Sequence, residues 1–522
     1  MIGKIFAAGE RRNAQAFWLG TVIVTAGVLL HVPMFLMARQ MGYRMAGMPM
    51  DAGMIWGMWL IIGGVALAAW GLLPKTHPDA SRVIERIAPP EDAPLTRTHW
   101  WIASLLCLAL IIDIMKPASL GFVTPGMRAE YGVDGATVAW LPLSALVGTA
   151  IGSFAWGVLA DIYGRRASIL LSSVLFVGTS ICGAMPGFWW NVFMCWLMGL
   201  AAGGMLPVTY ALLAEIMPTR HRGWSLVLIG GIGAVGGFFA ASALSALLQP
   251  LFGWRIMWFL NLPTGLILIA LSPLLPESAR FLQQMGRGAE AREMAARFGA
   301  TVVHDKPAST AIENSPMTTT LPQIGITVAL TLAALAWSLV NFGLLLWLPG
   351  ELVEEGRSVG TASALIAEST LLAAPVILFS TWLYSRWSTK GSLILMLAFM
   401  SAGLLGLLAR SSGIGWLENP LVSLTILVIG SCGVIAILLP YAAENYALRV
   451  RGRATGWVAG CSKLGGVLAQ VLAVLGVVPA FGKAALVIVV PSVISLILIA
   501  LWGRETRGSD LRSLDPHLGS TT

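Results

Sequence analysis

Residues 138–166 read VAWLPLSALVGTAIGSFAWGVLADIYGRR: a run of 23 uncharged, mostly apolar residues ends in a short loop with one aspartate and two arginines. An apolar α-helix of about 20 residues rises roughly 30 Å, which is the thickness of the hydrocarbon core of a bilayer. This stretch therefore predicts a membrane-spanning helix that meets water near Asp161.

Stretches of the same kind recur along the whole chain of 522 residues. Charged residues make up only 11% of the sequence and apolar residues 57%, a composition that excludes a set of soluble domains. Fourteen spans are predicted, at 17–37, 53–73, 100–122, 138–160, 167–187, 191–214, 225–248, 255–275, 323–348, 361–384, 391–410, 419–441, 454–478 and 483–502. The chain is predicted to be an all-α polytopic membrane protein.

The basic residues predict how these spans are oriented. Of the 33 lysines and arginines, 24 fall on the side of the N-terminus, 7 fall in the opposite loops, and Lys116 and Lys463 lie within spans. Cytoplasmic loops carry an excess of positive charge, so both termini are predicted to be cytoplasmic in a bacterial-type inner membrane. The net charge of +8 then needs no nucleic-acid partner. The expected partners are the lipid bilayer and a small-molecule substrate, and the protein is expected to be a monomer.

Two polar interruptions divide the chain. A proline-rich cytoplasmic linker and a long central loop with an amphipathic helix separate three groups of spans. The predicted parts are two accessory helices (1–74), the linker (75–98), a six-helix bundle (99–275), the central loop (276–322), a second six-helix bundle (323–503) and a cytoplasmic tail (504–522).

The two bundles carry traces of an internal repeat. Glu215, Arg222, Gly223, Gly236 and Gly237 recur as Glu444, Arg451, Gly452, Gly465 and Gly466, each 229 positions later. LADIYGRRASIL (159–170) aligns with LYSRWSTKGSLI (383–394) at an offset of 224, and PESAR (276–280) aligns with RETRG (504–508) at 228. Repeated groups of helices are typical of secondary transporters.

Several motifs resemble those of the major facilitator superfamily. They are GVLADIYGRR (157–166), EIMPTRHRG (215–223), LPESARFLQQMGR (275–287), AENYALRVRG (443–452) and GRETRG (503–508). The set is similar to the branch of sugar porters, organic-ion transporters, aromatic-acid:proton symporters and synaptic vesicle glycoproteins. The resemblance covers residues 98–510 and implies two six-helix bundles that rock around a central site. The two accessory helices lie outside it.

The motif residues at the cytoplasmic helix ends are candidates for a gate. A carboxylate followed by arginines at an inner helix end can form exchangeable ion pairs that hold one state. The candidates are Asp161, Arg165, Arg166, Glu215, Arg222, Glu277, Arg280, Glu444 and Arg451. The alternative interpretation is that they only signal topology and cap helices.

Ionisable residues inside a span are candidates for the transport site, because burying a charge in the membrane is costly. Asp113 and Lys116 are spaced i, i+3, which places them on one face of a helix. They can form a structural ion pair, or Asp113 can exchange a proton while Lys116 binds an anion. The family resemblance implies a proton site at an acidic residue in this helix.

Five further residues complete the candidate site. Glu368 is a second proton carrier or a water-exposed residue at the mouth, and Lys463 either serves an anion pathway or reaches toward the interface. Asn341 is a hydrogen-bonding group for a substrate, with Trp337 and Trp347 as stacking surfaces.

The sequence thus predicts a transporter of a small organic solute that works by proton-coupled symport and alternating access, and its lysines within spans favour an anionic solute. It contains no enzyme motif, and it requires no cofactor besides the coupling proton. The alternatives are a multidrug exporter, a membrane sensor that does not transport, and a copper transporter. The last would use His31, Met34, Met37 and Met41 of a methionine-rich stretch, since thioethers bind Cu(I).

Overall fold

The computed structural model describes residues 11–73, 94–299, 321–409, 420–446, 448–477 and 481–507. Fourteen helices in these ranges are long and apolar enough to cross a membrane, and we number them α1–α14. They are α1 Asn13–Met41, α2 Ala52–Leu72, α3 Arg97–Tyr131, α4 Gly135–Tyr163, α5 Arg165–Ala184, α6 Phe188–Ile216, α7 Arg220–Phe252, α8 Ile256–Leu274, α9 Ile324–Glu354, α10 Val359–Arg386, α11 Thr389–Leu408, α12 Leu421–Asn445, α13 Ala454–Val474 and α14 Lys483–Trp502. No β-strand occurs in the described ranges. The all-α prediction and the fourteen spans are confirmed.

Several helices extend beyond the predicted apolar runs. Helix α3 reaches Tyr131, whereas the apolar run was predicted to end at residue 122. Hydropathy marks only the part that crosses hydrocarbon, while intrahelical hydrogen bonds continue into the polar interface. The extra turns at the end of α3 carry Arg128 and Glu130, whose contacts are described below.

The accessory helices α1 and α2 form a hairpin that covers α5. At their crossing, a methyl group on Gly20 would lie only 2.6 Å from the Gly64 carbonyl oxygen, so the two backbones touch. The hairpin contacts α5 at Gly178, where a methyl group would meet the Ile61 side chain at 2.9 Å. Small residues at such crossings let membrane helices approach closely.

The repeated glycine pairs make equivalent contacts in the two halves. Gly236 and Gly237 of α7 pack against Ile111 and Ile114 of α3. Gly465 and Gly466 of α13 pack against α9, at the Leu335 carbonyl oxygen and the Phe342 side chain respectively. In each half the fifth helix of the bundle thus packs on the first at a glycine pair.

The two bundles, α3–α8 and α9–α14, meet where α3 packs on α9, α7 on α10, and α4 on α13. We call the end of the molecule that carries the Arg165 loop the basic end, and the opposite end the distal end. At the distal end the bundles are in close contact: a methyl group on Gly121 would lie 2.7 Å from the Leu346 carbonyl oxygen. The Ser245 and Ser363 hydroxyl groups share a hydrogen bond of 2.8 Å between α7 and α10.

An ion pair between Arg128 of α3 and Glu354 of α9 lies at the same end. The Gln249 amide of α7 donates hydrogen bonds to the Phe122 carbonyl oxygen at 3.0 Å and to Ser245 Oγ at 2.8 Å. We call these contacts, together with those of Gly121 and Ser363, the distal seal.

Candidate transport site

A cavity of about 560 Å³ lies between the two bundles. It runs from Asp113 and Asn341 in the middle of the molecule to Asp161 and Gly456 toward the basic end. The Asp161 side chain is 74% exposed, so the cavity opens at the basic end. In the described part of the chain, the distal seal closes one end of the cavity and the basic end is open.

Three of the predicted residues bring polar groups into this cavity from different helices. Asp113 comes from α3, Asn341 from α9 and Lys463 from α13. Asp113 is buried, and its Oδ1 atom has no hydrogen-bond partner among the described residues. The positive charges of Lys116 and, less strongly, of Lys463 act on the Asp113 carboxyl group. The cavity therefore holds an acid and a base from opposite bundles.

The internal repeat relates the polar positions of the site. Asn341 follows Asp113 by 228 positions, the offset that relates PESAR to RETRG. Lys463 follows Ala234 by 229 positions, and Ala234 also lines the cavity. Equivalent positions of the two halves thus face each other across the site, with the acidic group in one half and an amide in the other. The repeat offset was a sequence signal that could have identified this pairing.

Asn341 lies in a π-helical turn, Val340–Leu344, within α9. Its amide donates to Ser431 Oγ at 2.5 Å and to the Trp337 carbonyl oxygen at 3.0 Å. A π-turn leaves backbone groups without their usual helical partners, and such turns are frequent at functional sites. Here the Gln470 amide of α13 donates to the Phe342 carbonyl oxygen at 2.5 Å.

The two predicted tryptophans have different positions. Trp337 lines the cavity and its indole N–H donates to the Ser431 carbonyl oxygen at 3.0 Å. Trp347 is not among the lining residues, and its indole N–H donates to Gln470 Oε1 at 3.4 Å. Trp347 thus supports the residue that binds the π-turn.

Lys116 and Glu368 also lie outside the cavity lining. The Lys116 ammonium group lies over the Phe176 ring of α5, and no ion pair joins it to Asp113 among the described residues. Of the two alternatives for Asp113 and Lys116, the direct ion pair is not formed among the described residues: the long lysine stem reaches the neighbouring helix, while the short aspartate faces the cavity. Glu368 is exposed on α10 and is not among the residues that line the cavity.

Sequence reasoning missed most of the aromatic wall of the cavity. Phe154, Tyr210, Phe238 and Phe342 line it together with Trp337. In a sequence with 18 Phe and 21 Trp, nothing distinguishes a lining ring from one that packs or faces lipid. The wall is aromatic because the tertiary packing brings these rings together.

The predicted gate residues of the first half form a cluster at the basic end. The Arg165 guanidinium group contacts Asp161 at 3.0 Å and Glu215 at 3.1 Å. Glu277 accepts hydrogen bonds from the backbone N–H groups of Arg165 at 2.9 Å and Arg166 at 3.3 Å. Burial raises the pKa of the Glu277 carboxyl group, against the lowering effect of these hydrogen bonds.

These contacts join elements of the first half of the chain and do not link the two bundles at the open basic end. The second half repeats the arrangement with neutral partners. Glu505, 228 positions after Glu277, accepts hydrogen bonds from Ser388 and from the Thr389 backbone N–H at the start of α11. Each motif glutamate thus caps the third helix of its own bundle.

Among the described gate candidates, Glu444 approaches the other bundle. It accepts hydrogen bonds from the Tyr384 hydroxyl at 2.7 Å and from Thr506 Oγ1 at 2.6 Å. A methyl group on Gly223 of α7, the residue after Arg222, would lie 3.0 Å from its Oε1 atom. The side chains of Arg280 and Arg451 lie outside the described part of the structure.

The methionine-rich hairpin shows no arrangement of metal ligands. His31 is buried, with its Nδ1 atom 2.9 Å from the Gly27 carbonyl oxygen. Met34 is buried while Met37 and Met41 are exposed, so the three do not converge. The described residues contain no group of three or more His, Cys, Asp or Glu side chains that could hold a metal ion.

Two repeat-related bundles around a cavity that opens at one end define a polytopic membrane transporter. The chain belongs to the Major Facilitator Superfamily, whose family model matches residues 105–470. This confirms the resemblance seen in the sequence motifs.

Similar proteins include several bacterial transporters. The niacin transporter NiaP of Acinetobacter baylyi is 24% identical over 439 residues, covering 81% of this chain and 98% of its own. The 4-hydroxybenzoate transporter PcaK of the same organism is 28% identical over 401 residues, covering 72% and 84%. The gallate transporter of Pseudomonas putida is 28% identical over 424 residues, covering 74% and 90%. The relatives are transporters and not enzymes, as predicted.

The fold is also similar to solved structures. A partially occluded, inward-open structure of the xylose transporter XylE from E. coli covers 80% of this chain and all of its own. Its TM-score is 0.64 at 16% sequence identity, a likeness that concerns the fold alone.

Proposed function

We propose that this protein is a proton-coupled symporter of a small aromatic carboxylate. It works by alternating access in a bacterial plasma membrane, with its basic end and both termini in the cytoplasm. The observation that carries the proposal is the cavity itself, in which Asp113 and Lys463 from opposite bundles share a space walled by aromatic rings.

The substrate class follows from the chemistry of the lining. An ammonium group supplies charge-assisted hydrogen bonds to a carboxylate, and aromatic rings pack favourably against another ring. The volume of about 560 Å³ is within the range of ligand pockets and is ample for a single-ring acid. The names of three relatives, which refer to niacin, 4-hydroxybenzoate and gallate, support an aromatic acid.

The coupling follows from the charges that line the cavity. When the site is empty, the positive charges of Lys116 and Lys463 both compensate the Asp113 carboxylate. When an anionic substrate occupies Lys463, the buried Asp113 carboxylate keeps only the compensation from Lys116, and its protonation becomes more favourable. Binding of one carboxylate thereby promotes uptake of one proton at Asp113, which is the basis of symport.

Transport by purified protein in proteoliposomes tests the role of Asp113. With 4-hydroxybenzoate as the probe and a pH gradient imposed, Asp113→Asn should lose uphill accumulation but retain exchange of labelled for unlabelled substrate. The matched control is Glu368→Gln, which removes an exposed carboxylate outside the cavity and should accumulate substrate normally. Normal accumulation by Asp113→Asn would remove Asp113 from the coupling mechanism.

Substitution of Lys463 tests the anion site. A hydrogen bond to a charged group contributes about 1.5–3 kcal/mol, so Lys463→Met should raise KM for 4-hydroxybenzoate roughly 10- to 100-fold. Lys483→Met, which removes an exposed lysine at the start of α14, serves as the control. Binding of a neutral analogue, 4-hydroxybenzamide, should change little in Lys463→Met. Equal losses for acid and amide would contradict an anion site at Lys463.

A further inference from the structure

The loop between the accessory helices is tied to the distal end of α3 through Glu130. The backbone N–H groups of Met45 and Ala46 donate hydrogen bonds to Glu130 Oε1 at 2.6 and 2.9 Å. The other carboxylate oxygen accepts a hydrogen bond from the Trp254 indole at 2.7 Å. Arg255 completes the set, with Nη2 2.6 Å from Glu130 Oε1. We call these five residues the distal clamp.

The clamp is a buried assembly and not a surface contact. The side chains of Arg255 and Glu130 are 0% and 5% exposed. Arg255 also donates to the Met185 carbonyl oxygen at 2.9 Å and to the Tyr131 hydroxyl at 3.0 Å, so it joins α3 to the connection between α5 and α6. Removing one partner of a buried ion pair leaves an uncompensated charge, so this assembly is costly to take apart.

Further contacts hold the loop in place beside the clamp. Tyr43 stacks on Phe35 with ring centroids 4.8 Å apart and meets the edge of Phe252 at 5.8 Å. The Gly47 N–H donates to the Pro186 carbonyl oxygen at 3.2 Å. The hairpin therefore grips the first bundle at its distal end as well as along α5.

The clamp acts on the part of α3 that belongs to the distal seal. Arg128 pairs with Glu354 of the second bundle, two residues before Glu130. Residues spaced i, i+2 point to different sides of a helix, so the last turns of α3 are held by the hairpin on one side and by the second bundle on the other. Gly126 packs against the Trp254 ring, where a methyl group would lie 2.6 Å from Cδ1.

We propose that the accessory hairpin stabilises the distal-closed state of the transporter by fixing the distal end of α3, and that Glu130 is the positioning residue through which it acts. Without the clamp, the last turns of α3 are free to leave the second bundle, and the seal opens more often. This role is independent of the substrate and of the coupling ion.

Thiol labelling of purified protein in nanodiscs with a maleimide tests the proposal. Ser363→Cys reports on opening of the distal seal, because this side chain is buried between α7 and α10. Gly460→Cys reports on the open mouth at the basic end, where the position lines the cavity and has free space around it. The protein without either reporter gives the background from the five native cysteines.

Ala46→Pro removes one of the two loop N–H donors, and Ala46→Gly keeps it as the matched control. Because one hydrogen bond to a charged group shifts an equilibrium by about tenfold, Ala46→Pro should speed the labelling of Ser363→Cys roughly three- to tenfold. Labelling of Gly460→Cys should slow, since distal opening accompanies closure of the basic end. Ala46→Gly should resemble the parent.

A second variant covers the case in which Ala46→Pro disturbs folding. Glu130→Ala combined with Arg255→Met removes the anchor of the loop without leaving a buried charge unpaired. It should show the same opposite changes at the two reporters. Unchanged labelling of Ser363→Cys in both variants would overturn the proposal. Faster labelling at both reporters would also overturn it, because this would indicate general loosening and not a shift between two states.

Discussion

Gly121 offers a direct perturbation of the distal seal. A methyl group there would lie 2.7 Å from the Leu346 carbonyl oxygen and 3.3 Å from the Leu346 Cα and Cδ1 atoms. Carbon–oxygen contacts are ordinarily about 3.3–3.6 Å, so Gly121→Ala requires α3 and α9 to separate by roughly 0.5–1 Å. In the distal-closed state the backbone of both helices must move to make room for the methyl group, because the nearest atom is a carbonyl oxygen and not part of a flexible side chain.

Inserting a methyl group into a close-packed helix contact costs free energy. An added methyl group typically costs about 1–3 kcal/mol where the surroundings cannot yield. The strain is present in the distal-closed state and is relieved when the bundles part. The ratio of distal-open to distal-closed molecules should therefore rise by roughly 5- to 150-fold, at about 1.4 kcal/mol per factor of ten.

Labelling of Gly460→Cys measures this shift, since the mouth at the basic end should close as the distal end opens. Gly121→Ala should slow this labelling, and it should weaken the binding of substrate offered to the basic end. Gly63→Ala is the control, because it makes the same helical substitution in α2 with no atom within 4 Å of the new methyl group. If Gly121→Ala labels at the rate of Gly63→Ala, the contact with Leu346 does not limit opening and the reasoning is wrong.

Two further predictions concern the π-turn and the paired glutamates. Gln470→Leu leaves the Phe342 carbonyl oxygen without its hydrogen-bond donor, so the π-turn should relax and Asn341 should move. KM should then rise several-fold with little change in the maximal rate. Uptake kinetics measure this, with Gln470→Glu for comparison, because this variant keeps the shape of the side chain but cannot donate the bond when ionised. Burial raises the pKa of Glu277, so its contribution to stability falls as the pH rises above the usual carboxyl range, and Glu277→Gln should flatten the pH dependence of thermal unfolding there. Burial acts to raise the pKa of Glu505, but the hydrogen bonds from Ser388 and Thr389 prevail and lower it. The contribution of Glu505 to stability is therefore present above the usual carboxyl pKa and lost as the pH falls. Glu505→Gln should accordingly flatten the pH dependence of thermal unfolding at acidic pH. The same slope in both variants would contradict this difference.

Much of the fold was predictable because the membrane restricts the choices. A span must satisfy its own backbone hydrogen bonds in hydrocarbon, so each long apolar run becomes a helix, and fourteen were predicted and found. The constant offset of 229 between Glu215 and Glu444 marked the two related bundles before any contact was known. The motif residues also placed the chain in its family.

The candidate site was predictable in part, for an equally physical reason. Charges are costly at membrane depth, so the few that occur there are informative, and Asp113 and Lys463 do face one cavity. The sequence could not decide which neighbour Lys116 contacts, because its flexible stem reaches α5 as easily as a partner on its own helix. It also could not show that Asp161, Glu215 and Glu277 all contact the same residue, Arg165.

The sequence by itself determined the membrane, the number of spans, the repeat and the family, because these depend on composition and on periodicity along the chain. Only the tertiary structure decided which side chains share the cavity, which end is closed, and how the accessory hairpin reaches Glu130 from Met45 and Ala46. Such contacts join residues far apart in sequence, and they depend on how each helix is rotated about its axis. In a chain whose helices are apolar on nearly every side, the pattern of residues leaves that rotation open, and the packing of the neighbours fixes it.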